Sequence, residues 1–129
     1  MKILDSDHCI AILRGKLDLS GKIESNDDLA VTSISVGELA HGAHRSSRPE
    51  ENLTRLDVLL AMLTVLSFDE NCARRFGLLK ATLEHAGTPL HDLDLQIASI
   101  AVEHNAILVT HNQRHFVRIE GLNLEDWLV

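Results

Sequence analysis

Asp5 and Asp7 stand one residue apart at the end of the run Lys2-Ile3-Leu4, and acids placed there are the first sign of chemistry in this 129-residue chain. A short apolar run closing on polar residues reads as a buried parallel strand. Open α/β sheets bind ligands in the crevice at the carboxyl ends of their strands, so a carboxylate at that position is a candidate site residue. Glu38 follows a second β-branched run, Asp94 precedes a later one, and Thr110 and Asn112 close it. Two carboxylates ~4 Å apart repel by on the order of 4 kcal/mol at an effective dielectric near 20. Acids that converge must therefore share a proton or take up a cation. An all-oxygen donor set, with no clustered His or Cys, selects Mg²⁺ or Mn²⁺ over zinc. Such ions suit phosphoryl chemistry, where they activate a water and stabilise the leaving oxygen.

Each acid also has a purely structural use. Asp7 (or Ser6) reads as the N-cap of a helix over 8–13, and Asp94 as a cap of the helix it opens. Ser35 and Glu38 have the spacing of a capping box. Asp92 reads as a solvated neighbour or a group supporting the ligands from behind, rather than a ligand. Asp5 is the hardest to explain this way, because the end of a central strand has little use for a carboxylate. Among the eight histidines, His41 and His44 lie three apart and His111 and His115 four apart. Neither pair has the companion Glu of a zinc-protease spacing, so surface or packing roles are expected.

The elements that must position these residues alternate. Strands are expected at the opening run and over 29–34, 65–68, 106–110 and 122–124. Helices are expected over 8–13 and 36–44, from Pro49 along the stripe Leu53, Leu56, Leu60, Leu63, from the cap Asp69 to the stop at Gly87, and from Asp94. Residues 15–28 read as a surface helix or loop. Strands alternating with helices indicate βαβ units with right-handed crossovers. The expected fold is an α/β three-layer α/β/α sandwich with a central, mainly parallel sheet, as one domain over residues 1–129.

Composition narrows the partners. Hydrophobic residues make up 45% and charged ones 24%, a balance that buries a core. The net charge of -7 fits a metal-binding acidic pocket or a basic partner better than a DNA-coating surface, though bound divalent ions would change the local sign. Aromatics at 3% argue against a base-stacking platform. Cys9 and Cys72 match no paired metal spacing and read as small buried hydrophobes. No leader or membrane-spanning run is read in the sequence, so no membrane partner is expected and a reducing cytoplasm is the expected compartment.

Taken in order, the segments match a known family. Ile3-Leu4-Asp5-Ser6-Asp7, Thr32-Ser33-Ile34-Ser35-Val36-Gly37-Glu38-Leu39 with Gly42, and Gly87-Thr88-Pro89-Leu90 leading to Asp94-Leu95-Gln96-Ile97-Ala98 come first. Ile107-Leu108-Val109-Thr110-His111-Asn112 with His115-Phe116, and Gly121-Leu122-Asn123-Leu124-Glu125-Asp126-Trp127, complete the set. The chain resembles the PIN-domain ribonucleases, specifically the VapC-type toxins of bacterial type II toxin–antitoxin pairs. The resemblance implies that Asp5, Glu38 and Asp94 form an acidic triad around Mg²⁺ or Mn²⁺. It implies that Asn112 stands where many relatives carry a fourth acid, and that Thr110 orients the site through its hydroxyl. A neutral amide at 112 adds no charge to a second metal position. The implied activity is metal-dependent hydrolysis of a structured RNA such as tRNA or rRNA, leaving a 5′-phosphate and a 3′-hydroxyl and stopping translation. Implied partners are the RNA substrate, a cognate antitoxin, a second copy in a homodimer, and DNA only through the antitoxin. Arg14, Lys16, Arg45, Arg48, Arg114 and Arg118 are candidate RNA contacts.

Two other readings compete. A receiver-like domain also opens on a strand ending in paired acids, and finds Asp69 and Thr110 at suitable places, but no Lys follows the last strand. A PIN-like protein that has lost catalysis, serving only to bind an antitoxin or DNA complex, is the alternative that Asn112 keeps open.

Overall fold

The computed structural model of the protein describes residues 1–22 and 28–129. The described residues form strands β1 (Lys2–Leu4), β2 (Leu29–Thr32), β3 (Thr64–Leu66), β4 (Ile107–Val109) and β5 (Asn123–Glu125). Between them run helices α1 (Ser6–Leu13), α2 (Ser33–His44), α3 (Pro49–Leu60), α4 (Glu70–His85), α5 (Asp92–Glu103) and α6 (Gln113–Phe116). The sheet order is β3-β2-β1-β4-β5, and every neighbouring pair is parallel.

Side chains alternate across the strands with period two, and the alternation builds two cores. Ile3, Ala30, Leu66 and Leu108 face one layer, where they meet Cys72 and Leu83 of α4, Leu95 and Ile97 of α5, and Phe116 of α6. Leu4, Val31 and Val109 face the other, against Cys9 of α1, Leu39 of α2, and Leu56 and Leu59 of α3. The three-layer α/β/α sandwich expected from the alternation is therefore present. Both cysteines are free and buried, as small hydrophobes. No described helix is long and apolar enough to cross a membrane.

The topology also selects where a ligand binds. The chain steps outward from β1 to β2 and β3, then returns to the other side of β1 for β4 and β5. Strand order thus reverses between β1 and β4, and the carboxyl ends of those two strands border the switch-point crevice.

Several boundaries differ from the sequence reading. The second strand stops at Thr32, whose side chain accepts the Ser35 N–H at 3.1 Å and caps α2. Ser35 is therefore not the cap, and Glu38 belongs to no capping box. Helix α1 is capped by Asp5, which accepts the Ser6 N–H, and not by Ser6 or Asp7. His91 caps α5, so Asp94 is its third residue rather than its start. The expected turn after β4 runs into α6. Asp69 caps α4 as expected, by accepting the Cys72 N–H at 2.9 Å, and Gly87, at φ 71°, lies just past that helix's end. Pro49 opens α3, followed by Glu50 and Glu51 in the first turn. Part of the segment read as a surface helix or loop, 23–27, lies outside the described residues.

The Thr32 cap gives a direct test. Thr32→Val keeps the buried volume and leaves the Ser35 N–H without its acceptor. Urea denaturation should show a loss of about 1–2 kcal/mol. An unchanged midpoint and slope would remove Thr32 from the role of cap.

Candidate active site

The switch-point crevice opens into a cleft of about 280 Å³ lined by Asp5, Ser6, Asp7, Glu38, Asp94, His111 and Asn112. Asp5 is the most deeply set of its acids, with 7% of its surface exposed. It directly follows β1, and its backbone N–H donates to the Val109 carbonyl at 2.9 Å, which ties it to β4. One carboxylate oxygen accepts the Ser6 N–H at 2.9 Å, and the other accepts the Thr110 hydroxyl at 2.8 Å. Burial pushes the Asp5 carboxyl above its ordinary value, the Thr110 and Ser6 hydrogen bonds oppose this, and the charges of Asp7 and Asp94 add to the rise.

Thr110 is fully buried behind the cleft. Its Oγ accepts the Asn112 N–H at 3.0 Å and has one proton to give. Asp5 is the nearer acceptor, since Asp7 lies 3.4 Å away. The hydroxyl thus joins the end of β4 to the carboxylate at the end of β1.

Glu38 sits in the second turn of α2, which the true cap at Thr32 places at the mouth of the cleft. Its carboxyl is also raised, by partial burial first and then by the charges of Asp5 and Asp94, while His91 pulls it back. Asp94, half-buried in the first turn of α5, lies 3.5 Å from the His115 ring. Asn112 is exposed at the rim, and its Nδ2 lies 3.0 Å from His115 Nδ1. Asp5, Glu38, Asp94 and Asn112, candidates from the sequence, therefore line one cleft. Asp92 faces away, in an exposed ion pair with Lys80 at 3.0 Å. His41 and His44 are exposed on α2.

Sequence reasoning missed two lining residues, Ser6 and His111, and left Asp7 between a site acid and a helix cap. Asp7 is not a cap. It accepts from His8 Nδ1 at 2.6 Å and from the His111 N–H at 3.0 Å. Burial alone would raise the Asp7 carboxyl, but these donors outweigh it and hold the group below its ordinary value. The signal for this lay in the adjacent Asp7-His8 pair.

The donor set fits a hard divalent cation. Asp5 and Glu38 both resist ionisation beside other acids, and a cation between them would reverse that preference. Among the described residues, no three His, Cys, Asp or Glu side chains already converge at ligating distances. A small hard cation held by one or two carboxylates and several waters needs no more than this.

A second concavity, of about 260 Å³, shares Glu38 with this cleft. It runs between α1, α2 and α3, with Ile10, Leu13, Leu39 and Leu56 as its apolar lining and Arg14 and Arg55 at its edges. Of the other basic candidates, Arg48 pairs with Glu51 at 3.4 Å and Arg118 donates to the Pro89 carbonyl at 2.8 Å.

Comparison with known proteins supplies the family. Residues 2–122 match the PIN domain. The chain is 35% identical to ribonuclease VapC2 of Rickettsia felis, over 97% of this chain and 96% of that protein. It is 34% identical to the tRNA(fMet)-specific endonuclease VapC of Salmonella typhimurium, again over 97% of this chain and 96% of the relative. Among solved structures, VapBC2 from Rickettsia felis bound to a DNA fragment from its promoter superposes with a TM-score of 0.90. That match has 33% identity and covers 98% of each chain.

The raised Glu38 carboxyl has a measurable consequence. Above the ordinary glutamate value of 4.5, the native metal-free protein retains a proton that the unfolded chain has released. The unfolded state then binds fewer protons, so this group makes stability fall as pH rises through that window. Glu38→Gln removes the contribution. Urea denaturation without divalent ions should show the variant gaining on the wild type as pH rises from 4.5. A stability difference independent of pH would show that neither burial nor the neighbouring acids raise the Glu38 carboxyl.

Proposed function

Because the chain belongs to the PIN-domain family, we propose that its acidic cleft is the catalytic centre of a metal-dependent endoribonuclease, the toxin of a toxin–antitoxin pair. The observation that carries this reading is the convergence of Asp5, Glu38, Asp94 and Asn112 on one cleft at the switch point, with Thr110 fixing Asp5 from behind. Asp5, Asp94 and Glu38 would hold Mg²⁺ or Mn²⁺, directly or through water. When bound, the ion supplies an activated water and a counter-charge for the phosphate.

The chain's own residues do the rest. Thr110 and the Ser6 N–H fix both oxygens of Asp5, so this ligand is oriented before anything binds. Asn112 presents a neutral amide at the rim, next to His115, where it can position a water or a ribose hydroxyl without adding charge. The Salmonella relative named for tRNA(fMet) supports a structured tRNA as the substrate class. The exposed Arg14, Lys16, Arg45, Arg48, Arg114 and Arg118 are the groups available to hold its phosphates around an acidic centre. A reducing cytoplasm suits the two free cysteines and holds the substrate.

The partner assignment follows the VapBC relatives. The apolar groove bordered by Glu38 suits an antitoxin segment that is apolar along its length and ends in a cation, with DNA reached only through that antitoxin. A homodimer is the assembly expected for the toxin.

RNA cleavage with Mg²⁺ or Mn²⁺ is the test, with EDTA and Asp5→Ala as controls. Both controls should bring cleavage to background. Cleavage that survives both would sink the metal mechanism, and a wild type that cuts no cellular RNA would favour the binding-only role that the neutral Asn112 allows. The groove has its own test. Ile10 is 38% exposed at its edge, and Ile10→Asp should release the toxin from an antitoxin encoded in a small upstream frame. Retained co-purification, with the variant's thermal midpoint unchanged, would place the antitoxin elsewhere.

A further inference from the structure

His8, the donor to Asp7, is fully buried and both of its ring nitrogens are engaged. Nε2 accepts the backbone N–H of Trp127 at 3.0 Å, which puts the ring proton on Nδ1. Nδ1 then donates to Asp7 at 2.6 Å. Asp126 is a poorer partner for Nε2, at 3.5 Å, and its Oδ1 already accepts the Leu128 N–H at 2.9 Å.

The far side of Asp7 faces β4. Its second oxygen accepts the His111 N–H at 3.0 Å and lies 3.4 Å from the Thr110 hydroxyl. A chain of contacts therefore runs from the segment after β5, through His8 and Asp7, to the backbone just past β4 where Thr110 grips Asp5. The Trp127 end is itself anchored. The indole Nε1 donates to Glu125 at 2.9 Å, Lys2 stands 5.6 Å above the ring, and the ring meets His8 edge-on at 6.2 Å.

Asp7 lines the cleft, and each of its oxygens already takes a donor from within the fold, His8 on one and the His111 N–H on the other. We infer that His8 is a positioning residue: its imidazole couples the carboxy-terminal segment to Asp7, and Asp7 in turn fixes the His111 and Thr110 backbone that orients Asp5. The role in metal binding rests on the endoribonuclease reading, whereas the coupling itself does not. Partners one shell removed from a metal ligand change affinity or activity by about 10- to 100-fold when removed. His8 acts at a greater remove, so the lower end applies.

The test uses the intact chain with two separate readouts. His8→Leu fills the site without polar atoms, and His8→Asn keeps a donor near the position of Nδ1. In the metal-free protein, amide exchange at His111 should quicken about tenfold in His8→Leu, within the range of couplings inside one hydrogen-bond network. His8→Asn should restore most of that protection while Trp127 stays exposed to exchange. The Mn²⁺ dissociation constant, read by electron paramagnetic resonance, should rise about tenfold in His8→Leu and recover in His8→Asn. Wild-type exchange at His111 in His8→Leu, whatever its thermal midpoint, would overturn the coupling.

If His8→Leu does not fold, Asp7→Asn reads the same coupling in reverse. Asp7 makes no contact with the Trp127 amide, so quickened exchange there supports transmission through His8, and unchanged exchange refutes it. A wild type that cleaves no RNA would end the enzymatic reading and leave the exchange result to decide this one.

Discussion

The hydrogen bond from the Thr110 hydroxyl to the Asp5 carboxylate is the contact on which the cleft depends. A carboxylate with 7% of its surface exposed, close to other acids, is costly to keep ionised. It is held by two short hydrogen bonds, and the one from Thr110 crosses between the strands that bracket the switch point. Thr110 in turn is held by the Asn112 N–H on its oxygen and by its own N–H on the Glu125 carbonyl at 2.8 Å. The sheet register thus determines where the carboxylate points. Ile3 pairs with Leu108 and Leu4 with Val109, so the residues one step further, Asp5 and Thr110, are brought level.

The sandwich supplies rigidity where the acids supply strain. Both sheet faces are sealed by aliphatic cores, and a small shift of β1 against β4 would disturb packing on both sides. That stiffness lets Asp5 and Glu38 stay near other acids even though both are pushed away from their ionised forms. A protein optimised for stability alone would separate them. Keeping them together is a cost typical of functional sites, which trade stability for readiness to bind.

Much of this was legible in the sequence, and the parts that were not share one cause. Strand and helix types followed from β-branched runs, apolar stripes and stop signals such as Gly87, which are local. The caps slipped by one to three residues because Ser, Thr and Asp crowd each strand end, and any of them can accept an N–H. Thr32 caps α2 in place of Ser35 because pairing of β2 with β3 ends at Thr32 opposite Leu66, which is a tertiary fact. The same shift removed the structural explanation for Glu38 and left its side chain to the cleft. Asp5, Glu38, Asp94 and Asn112 were readable because each follows or precedes an element whose end faces the switch point. The role of Asp7 was not, since the His111 N–H reaches it only once β4 lies beside β1, and the Trp127 N–H that sets the His8 tautomer arrives only when the chain returns from β5.

Asp5 and Asp7 show why spacing alone could not assign them. They are one residue apart and equally charged, yet one carboxyl is raised and the other lowered. Burial raises both and weighs more on Asp5, the deeper of the two, where neighbouring negative charge adds to it and Thr110 and Ser6 only partly offset it. At Asp7 the imidazole of His8 and the His111 N–H outweigh burial. Two titratable groups pushed apart by their surroundings take different roles. Asp7 is a charge already satisfied within the fold. Asp5 and Glu38, raised by burial and by nearby acids, are the carboxyls whose charged forms a cation would favour.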